Sequence, residues 1–461
     1  MIKSRFIHEY SLNKGTFLFH TLTFDYHILN QISSELWREQ KYSQLLADEK
    51  LKLIEKKFLL NNKKKDDILF QKAIRFFSKR KDLSPSFLIY ITNECNLNCS
   101  YCFQKGERKY SYTSLTEQTI DAILSGMEKL LGKFHTTPSK RITIFGGEPL
   151  LPKNKNTVNY LCSRLQEDRE NIYHLGIITN GIFIPSYIDE FKKHNNIINY
   201  IKVTLDGPEK IHNQSRIFRN GQGTYKIIIN NIKLFLEQIQ NIKVYINILL
   251  NERNINYILE LFDDLERESI FNHDNVKIEF GRIQFRANPL IANYEHELKM
   301  SKYYSELLKL KRKDARITDD MLTGSELKFI GDLYRFWKNN EFILPNMKGC
   351  SAVYPGRYCF YPNGKIYPCT EIAGTENMAI AEYKPDFSIN PNIYEWKNYN
   401  VLHLEKCNTC KYIAICNGGC PVSNLGVHSN LKKVYCLDIE EGINNFISEL
   451  QNERFFKNEN N

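Results

Sequence analysis

Apolar β-rich runs and helical periodicities alternate along residues 86–280, and this alternation limits the possible folds more than any other feature. The strand-like runs lie at 87–92, 141–145, 175–179, 201–205, 244–250 and 276–280, and helical patterns follow at 115–131, 158–165, 225–236 and 258–265. Six strand-then-helix units of about thirty residues predict parallel strands joined by right-handed crossovers. In such a sheet the functional loops follow the carboxyl ends of the strands.

Three cysteines follow the first predicted strand in the pattern Cys-x3-Cys-x2-Cys: Cys95, Cys99 and Cys102. Three thiolates so close together can hold three corners of a [4Fe–4S] cluster and leave the fourth iron open to an exogenous ligand. The alternatives are a zinc site or three ordinary buried cysteines. A structural zinc ion prefers four protein ligands, and no fourth Cys or His stands at a suitable local spacing.

With Tyr101 just before its last cysteine, this loop resembles the signature of the radical S-adenosylmethionine (SAM) enzymes. The resemblance implies that SAM binds the open iron. It also implies that one electron from the reduced cluster splits SAM into methionine and a 5′-deoxyadenosyl radical, which abstracts hydrogen from a substrate. The fold implied is α/β, a partial (β/α)6 barrel similar to a TIM barrel.

Glycine-rich and polar segments follow the next three strands, where family members bind SAM. The two glycines after the second strand allow close approach of the backbone to a ligand, and we expect the Glu148 carboxylate to face the amino group of SAM. The alternative for each polar residue is turn capping or strand termination. The resemblance assigns SAM contacts to Tyr101, Gly146, Gly147, Glu148, Pro149, Thr179, Asn180, Thr204 and Asp206, and a carboxylate contact to Arg216.

His212 and Asn213 stand where the family commonly has His-Asp, so Asn213 departs from the pattern.

Eight further cysteines lie in the C-terminal part: Cys350, Cys359, Cys369, Cys407, Cys410, Cys416, Cys420 and Cys436. Between the second and third of them, Asn363-Gly364 flanked by aromatic and β-branched residues predicts a hairpin with a two-residue loop. Such a loop would pair Tyr361 with Ile366 and place Cys359 opposite Pro368, beside Cys369.

The order of these cysteines resembles the SPASM extension of radical SAM enzymes, which holds two auxiliary [4Fe–4S] clusters. The resemblance assigns Cys350, Cys359, Cys369 and Cys420 to the first cluster and Cys407, Cys410, Cys416 and Cys436 to the second. Two zinc sites are the alternative, because four thiolates also suit zinc. Cys162 lies outside every motif and is expected to be a buried apolar residue.

Composition excludes several other classes. The chain has 461 residues, 42% of them hydrophobic and 25% charged, which is ordinary for a globular protein. The N-terminus lacks a secretory pattern and no apolar run reaches membrane-spanning length, so we expect a cytoplasmic protein with reduced cysteines and no membrane partner. The formal charge is +10. Because no basic run is interleaved with stacking aromatics, nucleic-acid binding is not expected.

Five regions are predicted. Residues 1–84 form a small strand-and-helix domain, in which 15–23 reads as extended, 28–60 as helical and 63–65 as a polar connection. Residues 85–310 form the radical SAM barrel, 311–349 a bridging helical region, 350–440 the SPASM domain and 441–461 a C-terminal tail. The first region suits either a unit that binds a precursor peptide by strand addition against a helix or a structural cap.

Two peptide-modifying branches of the family compete. Anaerobic sulfatase maturases, which make formylglycine, commonly carry an Asp as base after the Gly-x4-Cys cysteine, but here the position is Thr370, and Glu371 would point away on a strand. The sequence therefore favours a maturase of ribosomally made precursor peptides (RiPPs) that forms a crosslink or a related modification. It would use three [4Fe–4S] clusters, SAM and a low-potential donor such as ferredoxin or flavodoxin. A non-catalytic Fe–S or zinc protein is the third alternative.

Overall fold

The computed structural model describes residues 1–77, 84–105, 113–132, 139–283, 294–323, 328–342, 344–345 and 349–452. Within these ranges the strands form a ten-stranded sheet, a three-stranded sheet and a two-stranded ribbon. No helix in the described part of the chain is long and apolar enough to cross a lipid bilayer.

The first 77 residues form a small α+β unit, which we call the N-terminal unit. Strands β2, β3 and β4 make an antiparallel sheet, and β1 pairs with β5 to join the two ends of the unit. Its elements are β1 (Ile2–Lys3), β2 (Ile7–Leu12), β3 (Gly15–His20), β4 (Tyr26–Leu29), α1 (Gln31–Arg38), α2 (Ala47–Glu55), β5 (Leu59–Leu60) and α3 (Lys63–Phe77).

Two expectations for this unit are wrong. A single helical segment over 28–60 was predicted, but this stretch holds the end of β4, two separate helices and β5. Its apolar residues do not form one buried stripe, because Leu46 and Leu51 are 71% and 55% exposed. The polar connection expected at residues 63–65 is instead the first turn of α3.

The predicted parallel sheet is confirmed. Six strands lie side by side in chain order, all parallel, and the helices between them cover one face. The strands are β6 (Ser86–Thr92), β7 (Ser139–Gly146), β8 (Ile172–Thr179), β9 (Ile198–Thr204), β10 (Lys243–Leu250) and β11 (Val276–Arg282). The helices are α4 (Glu117–Leu131), α5 (Lys155–Glu167), α6 (Ile188–Lys193), α7 (Glu209–Ser215), α8 (Tyr225–Gln238) and α9 (Ile258–Arg267).

Strand β10 shows how the sheet is built. Val244, Ile246 and Ile248 are fully buried, whereas the alternate residues Tyr245 and Asn247 are partly exposed. Because successive side chains of a strand point to opposite faces, one face packs against the helices and the other lines the open side of the sheet. The carboxyl ends of the strands thus meet at one edge, where the Cys95–Cys102 loop begins.

The sheet continues beyond the barrel into the C-terminal part. Strand β12 pairs in parallel with β6, and β13, β14 and β15 follow as antiparallel neighbours. The remaining elements are α10 (Met300–Lys313), α11 (Lys328–Asn339), β12 (Arg357–Tyr361), β13 (Lys365–Tyr367), β14 (Ala381–Glu382), β15 (Ser388–Ile389), α12 (Asn392–Lys397), α13 (Glu405–Asn408), α14 (Ile413–Cys416), α15 (Pro421–His428) and α16 (Ile439–Asn452).

The predicted C-terminal tail begins inside a helix. Residues 441–452 belong to α16, whose buried face includes Ile443, Phe446 and Ile447, and it packs against α10. Residues 453–461 lie outside the described part of the chain.

The hairpin between β12 and β13 exists, but its predicted register is wrong by one residue. Tyr361 pairs with Lys365, so the loop has three residues and Cys359 faces Tyr367 rather than Pro368. The Gly364 N–H donates to the Tyr361 carbonyl at 3.2 Å, and Gly364 takes a positive φ of 84°. A β-turn followed by a left-handed glycine is a common three-residue hairpin loop.

Candidate SAM site and cysteine groups

The first cysteine loop follows β6 and is held by the segment after α7. The Asn98 N–H donates to the Ile217 carbonyl at 2.8 Å and the Ser100 N–H to the Ser215 carbonyl at 2.9 Å. All three thiols of the loop are partly exposed. Burial, the Glu148 carboxylate and the two other thiolates of the loop raise the pKa of Cys95 to about 12. The three sulfurs therefore share one small region, as a cluster with three protein ligands requires.

Gly146 and Gly147 bring the end of β7 against this loop. A Cβ on Gly146 would lie 2.3 Å from the Thr92 carbonyl oxygen, and one on Gly147 would lie 2.1 Å from the Glu94 carbonyl oxygen. Both distances are far below van der Waals contact, so only glycine fits at either position. The two glycines thus let the end of β7 approach the last residue of β6 and the start of the cysteine loop, and their approach to a ligand stays a prediction.

Glu148 is fully buried and joins two strand ends. Its carboxylate accepts from the Thr179 hydroxyl at 2.7 Å, the Asn180 N–H at 2.7 Å and the Leu150 N–H at 2.9 Å. Burial raises the pKa of Glu148 although these three donors oppose the shift. Most of the acceptor capacity of this carboxylate fixes the third strand end beside the second, and its contact with the amino group of SAM stays a prediction.

Tyr101, Asp206 and Arg216 form a buried polar network next to the cysteines. The Tyr101 hydroxyl donates to the Asp206 carboxylate, and the Arg216 guanidinium donates to the Tyr101 oxygen at 2.9 Å. Burial raises the pKa of Asp206. Burial alone would lower the pKa of Arg216, but Tyr101, the Cys99 thiolate and Asp206 raise it well above its usual value, so Arg216 stays charged.

Two buried donors beside the cysteine loop have no hydrogen-bond partner among the described residues: Arg216 Nε and Asn96 Nδ2. A buried donor without an acceptor is unfavourable by about 1–3 kcal/mol, so native sites seldom keep one unless a ligand or water completes it. Donors of this kind suit a carboxylate or cluster sulfides. The residues present therefore fit SAM and an Fe–S cluster at this place.

The departure at Asn213 is accounted for by its contacts. Asn213 Oδ1 accepts from the Thr224 N–H at 2.9 Å and the Tyr225 N–H at 3.1 Å, at the start of α8. An aspartate oxygen could accept the same two bonds. The neighbouring His212 is buried, and burial together with Arg216 lowers its pKa well below the usual value, so the ring is neutral.

Of the remaining predicted SAM contacts, Thr204 is buried at the end of β9. Pro149 follows Glu148, and its carbonyl accepts from Asn154 Nδ2 at 3.2 Å. The structure thus brings the predicted strand-end residues to one edge, within reach of each other.

The C-terminal cysteines gather in two groups. In the first, burial, Glu371 and the Cys350 and Cys420 thiolates raise the pKa of Cys369 well above its usual value. Cys359, buried on β12, faces Tyr367, which lies two residues before Cys369. Three of the four predicted ligands of the first auxiliary cluster therefore lie near one another, and the fourth lies on the adjoining hairpin strand.

In the second group, burial and the thiolates of Cys407, Cys410 and Cys436 raise the pKa of Cys416 to about 12. Burial, Cys410 and Cys436 likewise raise the pKa of Cys407 to about 11. These are the four cysteines predicted for the second cluster. Among the described residues, no three Cys, His, Asp or Glu side chains are arranged around a single metal-ion position, and two zinc sites stay the alternative to two clusters.

One argument against Glu371 as a base is wrong. The sequence analysis placed it on a strand, but Thr370–Ile372 is a 3₁₀ turn directly after Cys369. In such a turn successive side chains are about 120° apart rather than on opposite faces. The Tyr90 hydroxyl donates to the Thr370 carbonyl at 3.1 Å, which fixes this turn at the barrel.

Three further residues lie close to these sites, and no sequence motif indicated them. Asn254, on the loop after β10, donates through Nδ2 to the Asp206 carbonyl at 2.8 Å and positions that residue. Lys397 and Tyr399 lie among the C-terminal cysteines. A lone Asn, Lys or Tyr outside any motif gives no indication of such a place.

Comparison with known proteins agrees with this geometry. Residues 89–265, which run from β6 through α9, match the Radical SAM superfamily. The chain is 24% identical over 357 residues to the cysteine-type anaerobic sulfatase-maturating enzyme of Clostridium novyi, an alignment that covers 71% of this chain and 85% of the relative.

Two solved structures share the fold. Native anSMEcpe with bound AdoMet superposes with a TM-score of 0.60 and 16% identity, covering 81% of this chain and 99% of that one. SuiB of Streptococcus suis bound to precursor peptide SuiA superposes with a TM-score of 0.53 and 19% identity, covering 94% of this chain and 98% of that one. With its cysteine loop and strand-end residues in a barrel of this type, the chain carries a Radical SAM domain over residues 89–265.

Proposed function

We propose that this chain is a radical SAM peptide maturase that acts on a ribosomally made precursor peptide. The observation that carries the proposal is the set of three cysteine groups, one with three members beside buried unpaired donors and two with four predicted members each. We infer three [4Fe–4S] clusters, the first with an open iron for SAM. Bound there, SAM supplies the radical that removes hydrogen from the substrate.

The chain's own residues would bind and orient SAM. Arg216 keeps its charge in a buried place and has a free Nε donor, which suits the methionine carboxylate of SAM. Tyr101 is fixed by Asp206 and Arg216, so its ring is held in one orientation. Glu148 and the two glycines position the surrounding backbone. The clusters would take electrons from a ferredoxin or flavodoxin.

The N-terminal unit supports a precursor peptide as substrate. Strand β4 pairs only with β3 among the described strands, and we infer that an extended peptide adds at its other edge. A cavity of about 350 Å³ lies between β4 and α2, lined by His27, Asn30, Leu46, Asp48 and Lys52 among others. Leu46 is 71% exposed there, and an exposed apolar side chain beside an open strand edge suits an extended peptide.

The extent of the structural likeness points the same way. The superposition with SuiB, a protein solved with its precursor peptide, reaches 94% of the chain, whereas that with anSMEcpe reaches 81%. The difference of 13% of the chain is about 60 residues, somewhat fewer than the 77 residues of the N-terminal unit. We therefore assign residues 1–84 to peptide recognition, 85–310 to the catalytic barrel, 311–349 to a bridge and 350–440 to the auxiliary clusters.

Sulfatase maturation is the second candidate. The Clostridium novyi relative aligns over most of its length. The turn at Glu371 also leaves a carboxylate one position from the usual base. The two branches of the family act on different substrates, so an experiment that offers both substrates separates them.

The first experiment tests radical SAM chemistry. The protein is reconstituted anaerobically and given dithionite and SAM, and 5′-deoxyadenosine is measured. We expect its formation by the wild type and its loss in Cys99→Ala. Equal yields from the two proteins would contradict the proposal.

The second experiment tests the peptide. A precursor peptide encoded beside the gene and a peptide with the sulfatase motif are each incubated with the enzyme and weighed by mass spectrometry. We expect a loss of two hydrogens in the precursor and no formylglycine. Leu46→Ser should weaken precursor binding, whereas Leu51→Ser, an exposed leucine that does not line the cavity, should not. Formylglycine formation would establish the second candidate instead.

A further inference from the structure

Tyr399 lies between the two C-terminal cysteine groups. Burial and the thiolates of Cys407, Cys416 and Cys350 raise its pKa, so members of both groups lie near its phenol. A Cβ placed on Gly349, the neighbour of Cys350, would meet the Tyr399 ring at 3.5 Å. The Tyr399 side chain thus lies near residues of both C-terminal cysteine groups.

The hydroxyl of Tyr399 continues this contact through hydrogen bonds. It donates to the Gly418 carbonyl at 3.4 Å, in the short segment between Cys416 and Cys420. It also accepts from Asn424 Nδ2 at 3.3 Å.

Asn424 is fully buried and links the two groups in turn. Its Oδ1 accepts from the Tyr435 N–H at 2.8 Å, directly before Cys436 of the second group. Its own N–H donates to the carbonyl of Cys420, a member of the first group, at 3.1 Å. The Tyr399–Asn424 pair therefore forms a continuous polar connection from one group to the other.

Lys397, two residues before Tyr399, contacts the first group alone. Its ammonium donates to the carbonyls of Ala352, Tyr354 and Arg357 at 3.2, 2.6 and 3.1 Å, all on the segment between Cys350 and Cys359. The charge also lies 4.6 Å from the centre of the Tyr358 ring. Lys397 thus fixes the loop that joins two predicted ligands, and burial lowers the pKa of its ammonium to about 7.

We propose that Tyr399, hydrogen-bonded to Asn424, is a positioning residue shared by the two auxiliary clusters and sets the reduction potentials of both. Lys397 acts in the same way on the first cluster only. The inference rests on the proposed function, which supplies the two clusters. The reduction potential of an Fe–S cluster depends on nearby hydrogen bonds, charge and solvent exposure, so polar groups next to the ligands are the expected means of control.

The test is a redox titration of the anaerobically reconstituted full-length protein, followed by electron paramagnetic resonance. Tyr399→Phe removes only the hydroxyl. At a fixed potential we expect the ratio of reduced to oxidised cluster to change by about three- to tenfold in both auxiliary clusters, where tenfold equals a 59 mV shift for one electron. The SAM cluster should not change. The matched control is Tyr173→Phe, which loses a hydroxyl bonded to Asp168 at 2.6 Å, away from all cysteine groups.

Lys397→Met and Lys397→Arg give a second, independent pattern. The methionine variant should shift the first auxiliary cluster alone, and the arginine variant should largely restore it. A Tyr399→Phe shift in only one cluster, no shift at all, or an equal shift in Tyr173→Phe would overturn the inference. Loss of a cluster from Tyr399→Phe would also overturn it and leave a packing role. Failure of the proposed function is distinguishable, because the wild type would then lack the auxiliary signals.

Discussion

Trp337 of α11 joins the N-terminal unit to the rest of the molecule. Its indole N–H donates to the Phe24 carbonyl at 2.9 Å. Its ring lies 5.3 Å from Phe19 and from Tyr26 on the unit and 6.1 Å from Phe446 of α16 on the other side. Removing this side chain should therefore loosen the unit without touching any cysteine.

The size of the effect follows from these contacts. Truncating a buried Trp to Ala destabilises a protein by about 3–5 kcal/mol, and Trp337 is only partly buried, which places its packing near 2 kcal/mol. The lost hydrogen bond adds about 1 kcal/mol. A total of about 3 kcal/mol raises the population of the detached unit roughly 150-fold. Trp337→Phe keeps a ring and loses mainly the hydrogen bond, so we expect about fivefold.

Hydrogen exchange measured by mass spectrometry is the suitable assay, because it reports local opening of one part of a protein. Peptides from β2, β3 and β4 should exchange faster in the order wild type, Trp337→Phe, Trp337→Ala. Peptides from β10 in the barrel serve as the internal control and should be unchanged. Equal exchange of β2–β4 in wild type and Trp337→Ala would refute the reasoning, and so would an equal acceleration of β10.

Three further predictions concern buried groups. His8 is fully buried, and burial lowers its pKa from 6.5 to about 4. As the pH falls below 6.5 the unfolded chain takes up the proton first, so acid destabilises the wild type. The difference in free energy of unfolding between the wild type and His8→Gln, measured by thermal melting, should therefore narrow by about 2 kcal/mol between pH 7 and pH 5. Gly147→Ala should lose the SAM-cluster signal, because its Cβ would collide with the Glu94 carbonyl. Gly442→Ala is the control and should keep the signal, because its Cβ would lie 3.5 Å from the nearest atom. A SAM-cluster signal in both variants would contradict the packing argument. Glu148→Gln should lower the free energy of unfolding by about 1–3 kcal/mol, since an amide cannot accept all three of the bonds the carboxylate accepts; chemical denaturation showing no change would argue against it.

The barrel could be predicted from the sequence because each of its strands has a recognisable local pattern. The buried residues Ile246 and Ile248 of β10, for example, are followed within a short distance by the amphipathic pattern of α9. The cysteine groups could also be found from the sequence, since cysteines are the usual ligands of Fe–S clusters and their spacing is visible. The hydrogen bonds around the two sites could not, because Lys397 and Asn254 look like any other polar residue until the chain is folded.

The errors have physical causes of the same kind. Leu46 and Leu51 are apolar but exposed, so the pattern over 28–60 suggested a helix face that does not exist. The hairpin was misread because Pro362 belongs to the turn and not to the strand. Pairing of β12 with β6 joins residues far apart in the chain, and no local pattern reports such a contact.

The pairing of β12 with β6 also determines when the sheet can be completed during synthesis. Ser86 of β6 faces Arg357 of β12, so the edge of β6 stays uncovered until more than three quarters of the chain has left the ribosome. Closing so long a loop is slow, and an unpaired strand edge invites association with other chains meanwhile. Fragments that end before β12 should therefore aggregate. The loop that carries Cys95, Cys99 and Cys102 thus follows a strand whose edge is completed only late in synthesis.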